Sequence, residues 1–160
     1  MKRSITIETV LTYIYLIVVT LTIVLLIITL KNADSRIIQN EKIYDIRATF
    51  SYIDRVLRKN DVADAIEVIK NPFDENYNAI LVTKDFEYHC LFSYENNLYE
   101  VHTIDRESIT IENAQILLEN VNFDAYINSN NVVTYSIIDY DENDFTKHYG
   151  KYFLKTSKGA

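Results

Sequence analysis

The sequence predicts an α+β fold: a long N-terminal transmembrane helix continuing into an amphipathic helix packed on a mainly antiparallel β-sheet, with one short inserted helix. Three observations predict it. Thr9–Leu30 carries no charged residue. Ile43, Ile46, Phe50, Ile53 and Leu57 then recur at intervals of three and four, the stripe of an amphipathic helix. After Asn60 the apolar positions fall in short runs, several alternating, separated by turn residues.

The uncharged run covers 22 residues. As a helix it reaches about 33 Å, enough to cross a hydrocarbon core of roughly 30 Å. A cleaved secretory signal has a shorter apolar core and a small-residue cleavage site. Here "IITLKNADSR" follows, with only Ala33 as a small residue of that type, so the span is expected to be retained. Lys2 and Arg3 precede it and place the N-terminus in the cytoplasm by the positive-inside rule, with Tyr13 and Tyr15 near the inner boundary. The expected organisation is a short cytoplasmic basic leader (1–8), a transmembrane helix (9–30), an extracytoplasmic amphipathic helix (31–59) and a β-rich extracytoplasmic domain (60–160). The chain is thus expected in the cell membrane as a single-pass protein. Thr12, Thr20, Thr22 and Thr29 lie inside the span, where hydroxyls bond their own helix backbone. No Gly-x-x-x-Gly dimer motif occurs.

No glycine or proline separates the span from the amphipathic stripe, which predicts one helix from near Ile5 to about Arg58. Glu41, Asp45, Arg55 and Lys59 fall on its polar face, and "KNDVAD" ends it. Strands are predicted at Asp64–Lys70 and Ala79–Lys84, with a turn around Pro72 between them. "YHCLFSY" and "LYEVHTI" form a hairpin. With Asn96-Asn97 as its two-residue turn, Tyr94 faces Tyr99 and Phe92 faces Val101, and Cys90 joins them on one apolar face. The short inserted helix is predicted around Ile111–Glu119, with Ser108 or Thr110 as cap. Strands follow at Val121–Ile127, in "VVTYSIIDY" and near "YGKYFLK", with "DENDFTKH" as an acidic loop.

The chain has 160 residues, room for one modest domain beside the span, and only two glycines and one proline. Setting aside Lys2, Arg3 and Glu8 leaves 14 basic and 22 acidic residues beyond the span, a net charge of −8. Neither nucleic acid nor an anionic lipid surface is expected as a main partner of such a domain. Cys90 is the only cysteine, so no internal disulfide forms, and a buried apolar role is expected for it.

His89, His102 and His148 are the titratable residues that invite a catalytic reading. A one-residue change of hairpin register would set Cys90 opposite His102. No glycine-rich loop, nucleophile elbow or H-E-x-x-H accompanies them, so no catalytic residue is assigned. Asp139, Asp141 and Asp144 are the candidate metal ligands: "DYDENDF" begins like a calcium loop, but Asp144 stands where that loop needs glycine and Gly150 where it needs glutamate. A solvated acidic loop is the expected reading, with no metal, cofactor or small-molecule substrate. Glu8 is the remaining candidate. A carboxylate at a span edge is interfacial and solvated, or it enters the bilayer paired with a positive group and registers one subunit against another.

"SITIE" after a Lys-Arg leader, followed by an unbroken apolar helix, resembles the start of bacterial type IV pilins and pseudopilins. Their acidic fifth mature residue would match Glu8, which makes Arg3 and Ser4 the candidate leader-processing site. Arg3 stands where the family has glycine or alanine. "YDIRATFSYIDRVLRKNDVADAIEV", "YHCLFSYENNLYEV" and "IENAQILLENV" look like an uncharacterised single-span, pilin-like family of Firmicutes and, more loosely, minor pseudopilins of competence and type II secretion systems. The resemblance implies a non-enzymatic, membrane-anchored minor subunit partnered by other pilin-like subunits or membrane assembly proteins. The alternative is an extracytoplasmic binding or sensor module on an uncleaved single-span anchor.

Overall fold

The computed structural model describes residues 7–62, 64–141 and 144–155, with the backbone alone described at Glu8, Asp34, Ser35, Asp141 and Asp144. The chain divides into two compact units, Met1–Tyr44 and Asp45–Ala160. Helix α1 runs from Ile7 to Lys59, 53 residues, and continues from the apolar run into the amphipathic stripe without interruption.

Within the first unit every described residue is helical. The apolar side chains from Ile7 to Leu30 are exposed throughout. Thr20, Thr22 and Thr29 turn their hydroxyls onto carbonyls of the preceding turn, at 2.8–3.1 Å, which removes their polarity from the surface as expected. This helix is long and apolar enough to cross a membrane.

The second unit begins with the last turns of α1. Ile46, Ile53 and Leu57 of the predicted stripe are buried, joined by Thr49 and Val56. Glu41, Asp45, Arg55 and Lys59 are exposed, and Ile43 is on the surface at 40 % exposure. Asn60 closes the helix: its backbone N–H and its side-chain Nδ2 both donate to Val56 O, at 3.2 and 2.8 Å.

Five strands follow as an antiparallel meander: β1 (Ile66–Lys70), β2 (Asn78–Lys84), β3 (Glu87–Tyr94), β4 (Asn97–Thr103) and β5 (Gln115–Glu119), in that spatial order. A second meander holds β6 (Val121–Ile127), β7 (Val132–Asp141) and β8 (Asp144–Phe153). One core joins α1 to both sheets. Ile46, Ile53 and Leu57 pack with Ile80, Leu91 and Leu98 of the larger sheet and with Phe123, Tyr135 and Ile137 of the smaller. The other face of the larger sheet carries Ala79, Leu81, Cys90, Phe92 and Val101, covered by Phe73, Ile109 and Ile111 from the connecting loops.

Three sequence expectations change. The β3–β4 turn is Glu95-Asn96, both with positive φ (47° and 57°), so Phe92 faces Tyr99 and Cys90 faces Val101. The helix expected over Ile111–Glu119 is reduced to a 3-10 turn at Ile111–Asn113, capped by Thr110 without a side-chain bond, and Gln115–Glu119 is strand β5. Pairing with the open edge of β4 outweighs the helical preference of Gln, Leu and Glu there. The acidic loop is largely strand, since β7 continues to Asp141 and β8 starts at Asp144, with those two residues paired.

Candidate functional site

His89 and His102 face each other across the β3–β4 ladder, and Glu100 sits two residues before His102 on the same side of β4. Alternation along a strand and direct opposition across it therefore bring all three to one face. That face is the one turned to α1, because Leu91 and Leu98 on it belong to the core shared with the helix. His89 and Glu100 are buried, whereas the His102 side chain is 60 % exposed.

Glu100 is the centre of a hydrogen-bonded cluster. Tyr52 of α1 donates its hydroxyl to Oε2 at 2.5 Å. Gln115 of β5, directly across from Glu100, donates Nε2 to Oε1 at 2.5 Å. His89 Nε2 lies 3.0 Å from Oε2, and His102 Nε2 approaches the same oxygen at 3.4 Å. The two imidazoles stack at 3.7 Å between centroids, tilted by 25°. Burial alone would raise the Glu100 carboxyl, but hydrogen bonds from His89, Tyr52 and Gln115 outweigh it and hold the group at about 2. A buried carboxylate is thus kept ionised by three surrounding donors. Burial and the same carboxylate push the Tyr52 phenol well above its ordinary range.

Both histidines line a cavity of about 460 Å³ whose other walls include Tyr52, Arg55, Lys59 and Lys84. Asp85 and Glu87 also reach it, so its lining mixes both signs of charge. The ligand atoms of His89, Glu100 and His102 all lie within 4.8 Å of one another, a grouping that two imidazoles and a carboxylate offer to a divalent metal.

Cys90 points to the opposite face of the sheet, fully buried, and burial pushes its thiol up to about 12. The Cys90–His102 opposition does not form. His148, on β8, pairs with Ile137 of β7 in the other sheet. Asp139 lies on β7 with its Oδ1 buried, and the backbones of Asp141 and Asp144 pair at the end of the same hairpin, their side chains outside the described residues. Glu8 is the second residue of α1, and its side chain likewise lies outside the description. Arg3 and Ser4 lie outside the described residues altogether.

Sequence reasoning found His89 and His102 but missed Glu100, Tyr52 and Gln115. The spacing Glu100-x-His102 in "LYEVHTI" was the available signal, since residues two apart on a strand share a face. Tyr52 and Gln115 come from elements whose register against β4 has no local signature.

Among families of known sequence, the one described as "Domain of unknown function (DUF4860)" matches residues 44–140. Neither a curated protein nor a solved structure gives a match. The matched stretch holds the end of α1, the larger sheet and the whole histidine–glutamate cluster, and stops at the end of β7.

Proposed function

The chain belongs to the DUF4860 family, and from that premise we propose that it is a membrane-anchored, non-enzymatic, pilin-like minor subunit of a type IV pilus, competence or type II secretion-like assembly. The observation that carries this reading is α1 itself. One uninterrupted helix of 53 residues carries the 22 uncharged residues Thr9–Leu30 and ends inside the core of a β-domain. A helix of that kind can lie beside others in a bilayer while its β-domain packs outside. Ile37 and Ile38, beyond the span, are exposed apolar side chains that neighbouring helices would cover.

In this reading the N-terminus is cytoplasmic and the β-domain extracytoplasmic. Glu8 registers the span against a positive group of an adjacent subunit, because a carboxylate at that depth is costly unless paired. Glu8→Ala and Glu8→Gln should each abolish co-purification of the chain with other single-span subunits from native membranes, whereas Glu8→Asp should retain it. Unchanged co-purification in the first two variants would count against the reading.

The cavity beside His89 and His102 favours a second reading, an extracytoplasmic binding or sensor module on a plain anchor. A neighbouring gene for an assembly ATPase supports the first reading. A neighbouring receptor kinase or transporter supports the second.

A further inference from the structure

We propose that His89 Nε2, Glu100 Oε2 and His102 Nε2 form a binding site for one zinc-class divalent ion. The argument begins with the number of groups meeting at one oxygen. Glu100 Oε2 already accepts the Tyr52 hydroxyl at 2.5 Å and faces His89 Nε2 at 3.0 Å, which occupies its two lone pairs. His102 Nε2 is nevertheless drawn to 3.4 Å from the same atom, although its ring is free to point into solvent. Nitrogen–oxygen separations of 3.0 and 3.4 Å, with all three ligand atoms within 4.8 Å of one another, come close to those of neighbouring vertices around an ion, which the His102 ring reaches by turning. With metal–ligand bonds of about 2.0–2.2 Å, tetrahedral geometry sets such vertices roughly 3.3 Å apart.

The surroundings match what such an ion needs. Gln115 holds Oε1 and Tyr52 holds Oε2, which fixes the carboxylate's orientation from outside the ligand set. Both imidazoles open onto the cavity of about 460 Å³, which leaves room for water in the fourth position. Ion binding displaces the hydrogen bond between His89 Nε2 and Glu100 and requires the exposed His102 ring to turn about its own torsions, out of its stack on His89. Two imidazoles and one carboxylate form a nitrogen–oxygen set suited to zinc rather than to calcium or magnesium, which take oxygen ligands. The site lies wholly within the second unit and is independent of the membrane reading.

The test uses the full chain, purified in detergent and stripped with chelator. Cobalt(II) is added first and its visible spectrum recorded, then zinc is used to displace it, with the stoichiometry read by equilibrium dialysis. The expected result is one ion per chain, a tetrahedral cobalt spectrum lost on adding zinc, and a melting temperature that rises with zinc concentration. His102→Ala and His102→Gln, both at an exposed position, should melt like the parent without metal yet bind zinc at least about 100-fold more weakly. Tyr52→Phe should weaken binding by about 10-fold. No saturable binding by the parent, or binding unaffected by both His102 variants, would overturn the proposal. So would binding that survives them and is lost in His148→Ala.

Discussion

Gly150 stands opposite Tyr135 in the β7–β8 ladder, and a Cβ there would fall on the Tyr135 ring, 2.7 Å from its hydroxyl oxygen. Tyr135 cannot move aside. It is buried in the core and its hydroxyl donates to Asp54 of α1 at 2.5 Å. Gly150→Ala should therefore cost about 1–3 kcal/mol by overpacking, read as a lower urea midpoint. Among the described residues, Tyr135–Asp54 is one of three phenol–carboxylate bonds that tie the end of α1 and the segment just after it to the sheets of the second unit. Tyr52–Glu100 reaches the larger sheet, while Tyr135–Asp54 and Tyr152–Asp61 reach the smaller. Burial, then Asp61, pushes the Tyr152 phenol up to about 12 against a partial opposing effect of Arg58; burial and Asp54 raise Tyr135 as well. Because the folded values exceed the unfolded value near 10, these phenols contribute fully below about pH 10. Their contribution falls as pH rises further and is lost, for Tyr152, as pH passes about 12. Urea midpoints should fall between pH 9 and 11.5, and the fall should be shallower in Tyr152→Phe. An unchanged slope in that variant would contradict the assignment. None of these pairs was legible in the sequence, since each joins residues 48 to 91 positions apart.

At the scale of elements, what the sequence made legible is what depends on a local period. The face shared by Cys90, Phe92, Tyr94, Tyr99 and Val101 was foreseeable although the hairpin turn was misplaced by one residue. That displacement changes each opposite partner by two positions, and a change of two preserves the faces. The turn itself is decided at a distance. Asn97 Oδ1 accepts Asn120 N at 3.0 Å and Asn96 O accepts Val121 N at 2.8 Å, so the β5–β6 corner draws Asn97 into the strand. The residues after Ile111 went wrong for a similar reason, because the edge of β4 was not visible from their own composition. Another hairpin shows a local rule broken. Asp85 and Phe86 form the β2–β3 turn with φ of 50° and 67°, and Phe86 is 90 % exposed. A bulky residue in the left-handed region is strained by roughly 1 kcal/mol with no burial to offset it. Phe86→Gly should raise the melting temperature by a few degrees. In α1, Leu57→Ala should cost about 2–5 kcal/mol, since Leu57 is fully buried in the core shared by both sheets. Chemical denaturation checks both.

For the whole molecule, the division between a span-length apolar helix and a mixed α+β unit could be read from charge alone: Thr9–Leu30 has none, and the rest is acidic. The α+β class followed from periodicity. The split into two sheets did not, because nothing in "VNFDAYI" tells whether β6 extends the first meander or begins another. The histidine–glutamate cluster needed that tertiary arrangement too, with Tyr52 delivered by the helix and Gln115 by the edge strand.

The central claim is a single-pass anchor with its β-domain outside the cell membrane. Cys90, the only cysteine, is fully buried, so the parent chain gives no background to a membrane-impermeant thiol reagent. Labelling of Glu107→Cys, at an exposed position, is therefore compared with that of Lys2→Cys in intact cells of the native host. The account predicts that Glu107→Cys is labelled in intact cells and Lys2→Cys only after permeabilisation. Labelling of Lys2→Cys alone in intact cells, or of neither until lysis, would contradict it.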